Sequence, residues 1–408
     1  MFDRLLNETG DREISTTQAL VQAMTLLCKD KNIGQRVVPI VPDEARTFGM
    51  EGMFRQIGIY AHEGQKYEPV DREQLMYYKE NQSGQMLQEG ITEDGAMSSW
   101  IAAATSYSNS GMQMIPFYMF YSMFGFQRIG ALIWAAGDMQ ARGCLIGATS
   151  GRTTLNGEGL QHEDGHSQIM AGNVPNCISY DPTFSYELMV IMHDAMTRMF
   201  KKQENVFYYI TTMNENYSHP GLPSGQEKNI IKGMYLLQKG KKGKVRVQLL
   251  GSGTILRESI AAAELLSEDF NVQADIWSCP SFNQLKRDGD DVFRWNLLHP
   301  DKKPRKCHIT QCLESSNGPV VAATDYVKLF ADQIRAYVPN SYTVLGTDGY
   351  GRSDSREALR KHFEVDRYYI ALAALSALCD EGSVSAKTAK SAIKKYGIDT
   401  EKTNPLFS

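Results

Sequence analysis

Short apolar runs alternate with helical segments along this chain, and no other pattern in it limits the possible folds as strongly. Four of these runs lie in the first half of the chain, at residues 36–41, 114–120, 143–147 and 206–211. The stretches between them carry apolar residues at helical spacing, as in residues 15–31, where Ser15 can act as the N-cap. Strands that alternate with helices form parallel sheets covered by helices on both faces. The pattern therefore predicts an α/β fold, a three-layer sandwich with a mostly parallel sheet.

A polar segment that contains glycine and proline, residues 214–229, separates this pattern from a second one. The alternation restarts with an apolar run at residues 244–250 and continues toward the C-terminus. We therefore predict two domains, residues 1–222 and residues 223–408, the second being a smaller α/β domain with its own sheet. Two further predictions concern local structure: a helix over residues 71–79 and an irregular, charged stretch over residues 278–304.

The composition is that of an ordinary globular protein. Of the 408 residues 42% are apolar and 22% are charged, and the formal net charge is −4. Because no basic stripe is present, nucleic acid is not expected as a partner. No apolar run reaches the roughly 18 residues that a membrane-spanning helix needs. Seven scattered cysteines without a Cys-x-x-Cys pair indicate reduced thiols, and hence a cytoplasmic protein.

The stretch from Gln88 to Trp100 combines a loop with the start of a helix. Thr92 is a plausible N-cap, and Glu93 and Asp94 would occupy the first turn. A carboxylate at this position commonly does no more than complement the helix dipole. The pattern alone leaves open whether Glu93 has a further role.

Polar and aromatic residues follow the predicted strands at the end where α/β sheets carry their sites. Asp43 and Glu44 come after the first strand, and Tyr121, Phe124 and Arg128 come after the strand at residues 114–120. Taken alone, Phe124 would be a core residue by its burial preference, and the acids would be ordinary surface residues. These residues are therefore candidates for a site rather than assigned members of one.

A second polar loop contains Glu158, His162 and His166. Two histidines four residues apart can bind a metal from one face of a helix. Gly157 and Gly159 argue against a regular helix here, so a zinc site is disfavoured. A histidine in such a loop would suit either the binding of an anion or the delivery of a proton.

Four runs of this sequence resemble thiamine-diphosphate-dependent enzymes of the transketolase type. The runs are Ile91-Thr-Glu-Asp-Gly-Ala96, Ser122–Gly130, Thr149–His166 and Leu345–Arg356. The closest resemblance is to the decarboxylating component of bacterial pyruvate dehydrogenase complexes of the homodimeric type. It extends over the whole chain but covers only the later half of that family, its pyrimidine-binding domain and its C-terminal domain.

The resemblance implies an oxidoreductase, a pyruvate dehydrogenase (acetyl-transferring), that decarboxylates pyruvate. The acetyl group would pass to a lipoyl domain of the dihydrolipoyl acetyltransferase core. Glu93 would contact the aminopyrimidine ring of the cofactor and so help to remove the proton from its thiazolium carbon. We expect the Glu93 carboxyl to be withdrawn from water so that it can share a proton with the ring.

The same resemblance gives roles to the other candidates. Phe124 would pack on the pyrimidine ring, and His162 would face the substrate carboxylate and act in catalysis. The remaining residues are implied as a catalytic hydroxyl (Tyr121), as cofactor contacts (Arg128, Asp43 and Glu44) and as a substrate contact (Glu158).

The sequence lacks the Gly-Asp-Gly element through which this family binds Mg²⁺ and the diphosphate. No residue of this chain is therefore predicted as a metal ligand, and Mg²⁺ is expected to be held by residues outside it. The expected partners are a second copy in a homodimer and an amino-terminal half or subunit that binds the diphosphate.

Two other functions stay open at this point. One is a transketolase-like activity on sugar phosphates, which the histidine-containing loop disfavours. The other is a non-catalytic fragment that serves dimerisation or assembly. The run Asp348–Arg356 could cradle an anion with its backbone amides. A plain strand-to-helix connection is the favoured interpretation of that run.

Overall fold

The computed structural model describes residues 2–42 and 45–408, which form two compact units. The first unit contains the residues up to Ser150 together with Met170–Ser179 and Phe184–Leu222. The second contains Gly151–Ile169, Tyr180–Thr183 and Pro223–Ser408. The second unit thus combines the C-terminal part of the chain with two segments from its middle.

The main sheet of the first unit is built largely from the apolar runs of the sequence. The strands that precede residue 212, including two outside the main sheet, are in chain order β1 (Val37–Val41), β2 (Ile59–Tyr60), β3 (Glu80–Asn81), β4 (Leu87–Gln88), β5 (Ile115–Tyr121), β6 (Cys144–Ala148), β7 (Cys177–Tyr180) and β8 (Phe207–Thr211). The sheet has the order β4-β1-β5-β6-β8-β7, and the pairs from β4 to β8 are parallel. β2 and β3 pair separately. The predicted α/β fold with a mostly parallel sheet is confirmed.

Helices cover this sheet. They are α1 (Asp3–Leu6), α2 (Thr16–Cys28), α3 (Glu51–Gln56), α4 (Glu93–Ala104), α5 (Ser106–Asn109), α6 (Gly125–Asp138), α7 (Ser167–Asn173) and α8 (Ser185–Met196). The predicted N-cap of α2 is confirmed, since the Ser15 hydroxyl accepts a hydrogen bond from the Gln18 amide at 3.1 Å. α4 packs on β1 and β5, and the buried Trp100 indole donates to the Cys144 carbonyl at 3.1 Å. This packing fixes α4, and therefore its first residue, relative to the sheet.

The second unit has a smaller sheet of its own, as predicted. Its strands are β9 (Tyr235–Gln238), β10 (Arg246–Gly251), β11 (Gln273–Ser278), β12 (Val320–Ala323) and β13 (Tyr342–Leu345), in the order β13-β12-β10-β11-β9. β9 is antiparallel to β11, and the other pairs are parallel.

The helices of the second unit surround that sheet. They are α9 (Glu227–Lys232), α10 (Ile255–Phe270), α11 (Phe282–Leu298), α12 (His308–Leu313), α13 (Leu329–Asp332), α14 (Arg356–Phe363), α15 (Arg367–Asp380) and α16 (Ala386–Tyr396). Aliphatic residues of α10 and α15 pack with those of β10 and β12 in one buried core. The bidentate ion pair of Arg367 with the buried Glu258 ties α15 to α10.

Two local predictions are wrong. Residues 71–79 are not helical, because the Asp71 carboxylate accepts hydrogen bonds from the Tyr78 amide and closes the segment into a loop. The stretch predicted to be irregular contains α11, which begins at a clear N-cap: the Ser281 hydroxyl accepts from the Gln284 amide at 3.0 Å.

Two further expectations concern the chain as a whole. No disulfide joins any of the seven cysteines, all of which lie in the described residues. Within residues 2–42 and 45–408, no helix is both long enough and apolar enough to cross a membrane.

Candidate functional site

The carboxyl ends of three neighbouring strands bring most of the predicted site residues of the first unit to one edge of its sheet. β4, β1 and β5 are adjacent and parallel, and they end at Gln88, Val41 and Tyr121. The chain continues from these ends into the segments that carry the candidate residues. Asp43 and Glu44, which follow β1, lie outside the described residues.

Glu93 is the first residue of α4, as predicted. The Thr92 hydroxyl accepts a hydrogen bond from the Gly95 amide at 3.3 Å and caps the helix. The Glu93 side chain is 13% exposed, so its carboxyl is largely withdrawn from water. The positive end of the helix dipole stabilises a carboxylate at this position. The carboxylate is therefore a largely shielded hydrogen-bond acceptor at the edge of the sheet.

Arg128, in the first turn of α6, pairs with this carboxylate. Its Nη1 atom donates to Glu93 Oε1 at 3.0 Å, while its own side chain is 50% exposed. The Tyr118 hydroxyl lies 3.4 Å from the Glu93 carbonyl oxygen. The ion pair therefore links α4 to α6.

Phe124 lies beside the ion pair. Its ring centroid is 4.0 Å from the Arg128 guanidinium carbon, which is the geometry of a cation–π contact. The Tyr121 ring meets the Phe124 ring edge-on at 6.0 Å, and Phe48 meets Tyr121 edge-on at 5.4 Å. Phe48, Tyr121 and Phe124 therefore contact one another in series, and Phe124 contacts the arginine that binds Glu93.

The backbone between β5 and α6 explains this arrangement. Gly125 approaches the Phe120 ring so closely that a Cβ atom would lie 2.2 Å from it, so only glycine fits there. Ile129 has non-helical angles (φ −116°, ψ 17°), which set the first turn of α6 apart from the rest of the helix. Phe124 and Arg128 are thus carried on a short, separately oriented turn.

Glu89 lies four residues before Glu93 and also carries a carboxyl group. Its side chain accepts a hydrogen bond from the Ser99 hydroxyl of α4, and its main-chain amide donates to Val41 at 3.1 Å. Glu89 therefore serves to connect the loop, the strand and the helix.

Glu158 and His162 belong to the second compact unit. His162 ends a short 3₁₀ turn, and its Nδ1 atom lies 3.9 Å from Glu158 Oε2. Gly157 has φ +71°, and the loop is not α-helical, as expected from its glycines. In the described parts of the chain, no three His, Cys, Asp or Glu side chains are arranged to hold a metal ion.

Glu163, next to His162, was not identified from the sequence. It is 1% exposed, and both of its carboxyl oxygens are buried without a hydrogen-bond partner in the described structure. Burial, and after it the nearby Asp325 carboxyl, raise the pKa of Glu163 to about 9. The residue therefore carries a proton at neutral pH.

The run Asp348–Arg356 packs on the polar loop of the same unit. Arg152 donates to the carbonyls of Thr347, at 2.6 Å, and Gly349. Arg356 donates from Nε to the Thr154 carbonyl at 2.7 Å. The run connects β13 to α14 and is held by these contacts. A strand-to-helix connection is the interpretation that the sequence favoured.

Comparison with known proteins identifies relatives for both parts of the chain. A family model of the pyruvate dehydrogenase E1 component middle domain matches residues 3–220, and a model of the transketolase-like C-terminal domain matches residues 233–366. The pyruvate dehydrogenase E1 component of Cupriavidus necator is 62% identical over 408 residues. That alignment covers 99% of this chain and 46% of the relative, so the chain spans about half the length of the curated relatives it matches.

Solved structures agree on the fold. Transketolase from Campylobacter jejuni superposes with a TM-score of 0.67 at 14% identity, covering 92% of this chain and 49% of that one. A split gene transketolase, described as an inactive β4 tetramer, has a TM-score of 0.56 at 16% identity and covers 90% of this chain and 98% of that one. Both likenesses concern the fold alone.

Proposed function

Because the chain belongs to the family of pyruvate dehydrogenase E1 components, which depend on thiamine diphosphate, we propose that it forms the aminopyrimidine side of such a cofactor site. With a half that binds the diphosphate and Mg²⁺, it would decarboxylate pyruvate and pass the acetyl group to a lipoyl domain. The observation that carries the proposal is the Glu93 carboxylate beside the Phe124 ring at the carboxyl edge of the sheet.

These residues suit an aminopyrimidine. Such a ring offers a flat aromatic face and an edge with both hydrogen-bond donors and acceptors. Phe124 supplies an aromatic partner for the face, and the largely buried Glu93 carboxyl can share a proton with a nitrogen at the edge. Ring stacking and an edge hydrogen bond can be made at the same time, so the pair would fix both the position and the orientation of the ring.

The roles of the chain's own residues follow from this fit. When bound, the cofactor supplies the thiazolium carbon and the electron sink that decarboxylation of a 2-oxo acid requires. Glu93 would hold a proton between its carboxyl and the ring nitrogen, and Tyr121 would add a hydroxyl at the end of β5. Asp43 and Glu44, which follow β1 in the sequence, would contribute cofactor contacts. His162 and Glu158 would bind the carboxylate of the substrate and handle protons there.

The partners of this chain are part of the proposal. The sequence contains no Gly-Asp-Gly element, so Mg²⁺ and the diphosphate would be bound by an amino-terminal half. The isolated chain would associate with itself and would have no activity without that half. A cytoplasmic location agrees with the absence of disulfides among its cysteines.

Calorimetry with thiamine diphosphate and Mg²⁺ tests the proposal. The chain alone should bind the cofactor weakly and release no CO₂ from pyruvate. Mixed with the amino-terminal half of the Cupriavidus necator relative, it should bind the cofactor more tightly and decarboxylate pyruvate. Tight, Mg²⁺-dependent binding by the chain alone, or an inert mixture, would contradict the proposal.

A further inference from the structure

We infer that Arg128 is a positioning residue, which orients the Glu93 carboxylate and the Phe124 ring for the aminopyrimidine without binding that ring itself. The inference rests on the proposed function. It assigns to Arg128 an indirect role in place of the direct cofactor contact that the resemblance implied.

The first observation is that one guanidinium joins two groups from different helices. Arg128 donates to Glu93 Oε1 at 3.0 Å and lies 4.0 Å from the centroid of the Phe124 ring. Glu93 starts α4, whereas Phe124 and Arg128 belong to the turn that begins α6. The guanidinium therefore fixes the carboxylate and the aromatic ring relative to each other.

The second observation is which parts of the two groups these contacts use. A carboxylate has two oxygens and about four acceptor positions, and Arg128 uses Oε1. An aromatic ring has two faces, and the guanidinium covers one of them. In this inference a planar ligand binds Glu93 through Oε2 and stacks on the face of Phe124 opposite the guanidinium.

The chemistry of arginine suits this role better than that of lysine. A planar guanidinium can stack on a ring and donate in its own plane at the same time, whereas an ammonium is a point charge. Arg128 is also tied to Phe124 by the backbone, since the non-helical Ile129 ends the turn that carries both. A half-exposed ion pair adds little to stability, so replacing Arg128 should disturb orientation more than folding.

Equilibrium dialysis of the chain with thiamine diphosphate and Mg²⁺ at millimolar concentrations tests the inference. Arg128→Gln should weaken binding about tenfold, the effect of losing one charge-assisted hydrogen bond. Arg128→Lys keeps the charge but not the stacking, so its affinity should lie between those of the parent and the glutamine variant. In a Glu93→Ala background, Arg128→Gln should change the affinity less than about twofold, because a residue that acts through Glu93 has nothing left to orient.

Arg305→Gln is the matched control. Arg305 lies 3.8 Å from the centroid of the Trp295 ring in the second unit and has no proposed role in the site. This variant should bind the cofactor like the parent. Circular dichroism spectra that match the parent show that each variant is folded.

The outcomes separate the inference from the function on which it rests. Tighter binding by Arg128→Gln would mean that the guanidinium competes with the cofactor ring. If the loss of affinity in the double variant equals the product of the losses in the two single variants, Arg128 contacts the cofactor directly. Either result overturns the inference, as does an unchanged affinity. A parent chain that binds no cofactor, or a Glu93→Ala chain that binds like the parent, would instead overturn the proposed function.

Discussion

The Asp325 carboxylate binds both the main chain and the side chain of Thr153. Asp325 Oδ1 accepts from the Thr153 amide at 2.8 Å and from its hydroxyl at 2.7 Å. Asp325 Oδ2 accepts from the Thr154 amide at 3.1 Å and from its hydroxyl at 2.6 Å. Because Asp325 is fully buried, burial raises its pKa. These four hydrogen bonds anchor the segment Gly151–Ile169, which carries Glu158 and His162, within the second unit.

Replacing Asp325 by alanine should therefore destabilise this anchor. Four donors on Thr153 and Thr154 would lose their acceptor in a buried place, and we expect a loss of about 2–4 kcal/mol in the free energy of unfolding. Urea denaturation measures the loss, and faster tryptic cleavage after Arg152 reports the release of the segment. Asp332→Ala, at an exposed partner of Arg335, should stay within about 0.5 kcal/mol of the parent. Equal urea midpoints for Asp325→Ala and the parent would contradict the prediction.

The buried Glu163 should make stability depend on pH. In the folded state its pKa is about 9, whereas in the unfolded chain it is near 4.5. Between these values the folded state holds a proton that the unfolded chain has lost, so stability falls as pH rises, by up to about 1.4 kcal/mol per pH unit. Glu163→Gln cannot titrate and should be more stable than the parent at pH 8.

Unfolding curves from pH 5 to pH 9 measure this difference. Burial is the main cause of the raised pKa of Glu163; the Asp325 and Glu158 carboxyls add to it, and the Arg152 guanidinium opposes it. The exposed Glu357→Gln serves as the control and should follow the parent. Parallel pH profiles for the parent and Glu163→Gln would show that the carboxyl does not remain protonated in the fold.

Most of the architecture could be predicted because parallel strands that are buried on both faces have continuous apolar runs in their sequence. β5 is buried along its whole length, and the sequence placed it to within one residue. The errors arose where polar side chains decide the local structure. The Asp71 carboxylate closes a loop where helical spacing suggested a helix, and Ser281 starts a helix whose many charges suggested irregular structure. An N-cap in front of a charged stretch was the signal that could have revealed the second.

Individual candidate residues could be proposed from the sequence, but the contacts between them could not. The spacing around Glu93 indicated a helix start, yet its ion pair with Arg128 joins residues 35 positions apart and depends on how α4 and α6 pack. Glu163 gave no signal, since it packs against a residue far along the chain: a Cβ atom at Gly351 would lie 2.2 Å from the Glu163 Cβ. Such a contact depends on tertiary structure that no local pattern encodes.

The chain is predicted to form a dimer through the first unit. β5 is buried in its own sheet, so we expect the contact surface to come from α6 and its surroundings. Trp134 on α6 is 50% exposed, and Met139 at its end is 56% exposed. Sedimentation at micromolar concentration should show a dimer, and Trp134→Glu should weaken it about tenfold or more. Phe293→Glu, on the exposed face of α11, is the control; a monomeric parent would contradict the prediction.

Glu93→Ala should slow proton removal from the cofactor far more than Glu89→Ala. With the diphosphate-binding half restored, we expect exchange of the thiazolium proton to fall about 10²–10⁴-fold in Glu93→Ala, the usual contribution of an acid–base group. Glu89→Ala should cost about tenfold or less, since that carboxylate accepts from Ser99 and connects the loop to α4. Quenched-flow exchange in deuterated water, read by NMR, measures both rates. If Glu93→Ala exchanges the proton as fast as the parent while Glu89→Ala does not, the acid–base role belongs to Glu89, because only the carboxylate that shares the proton can set this rate.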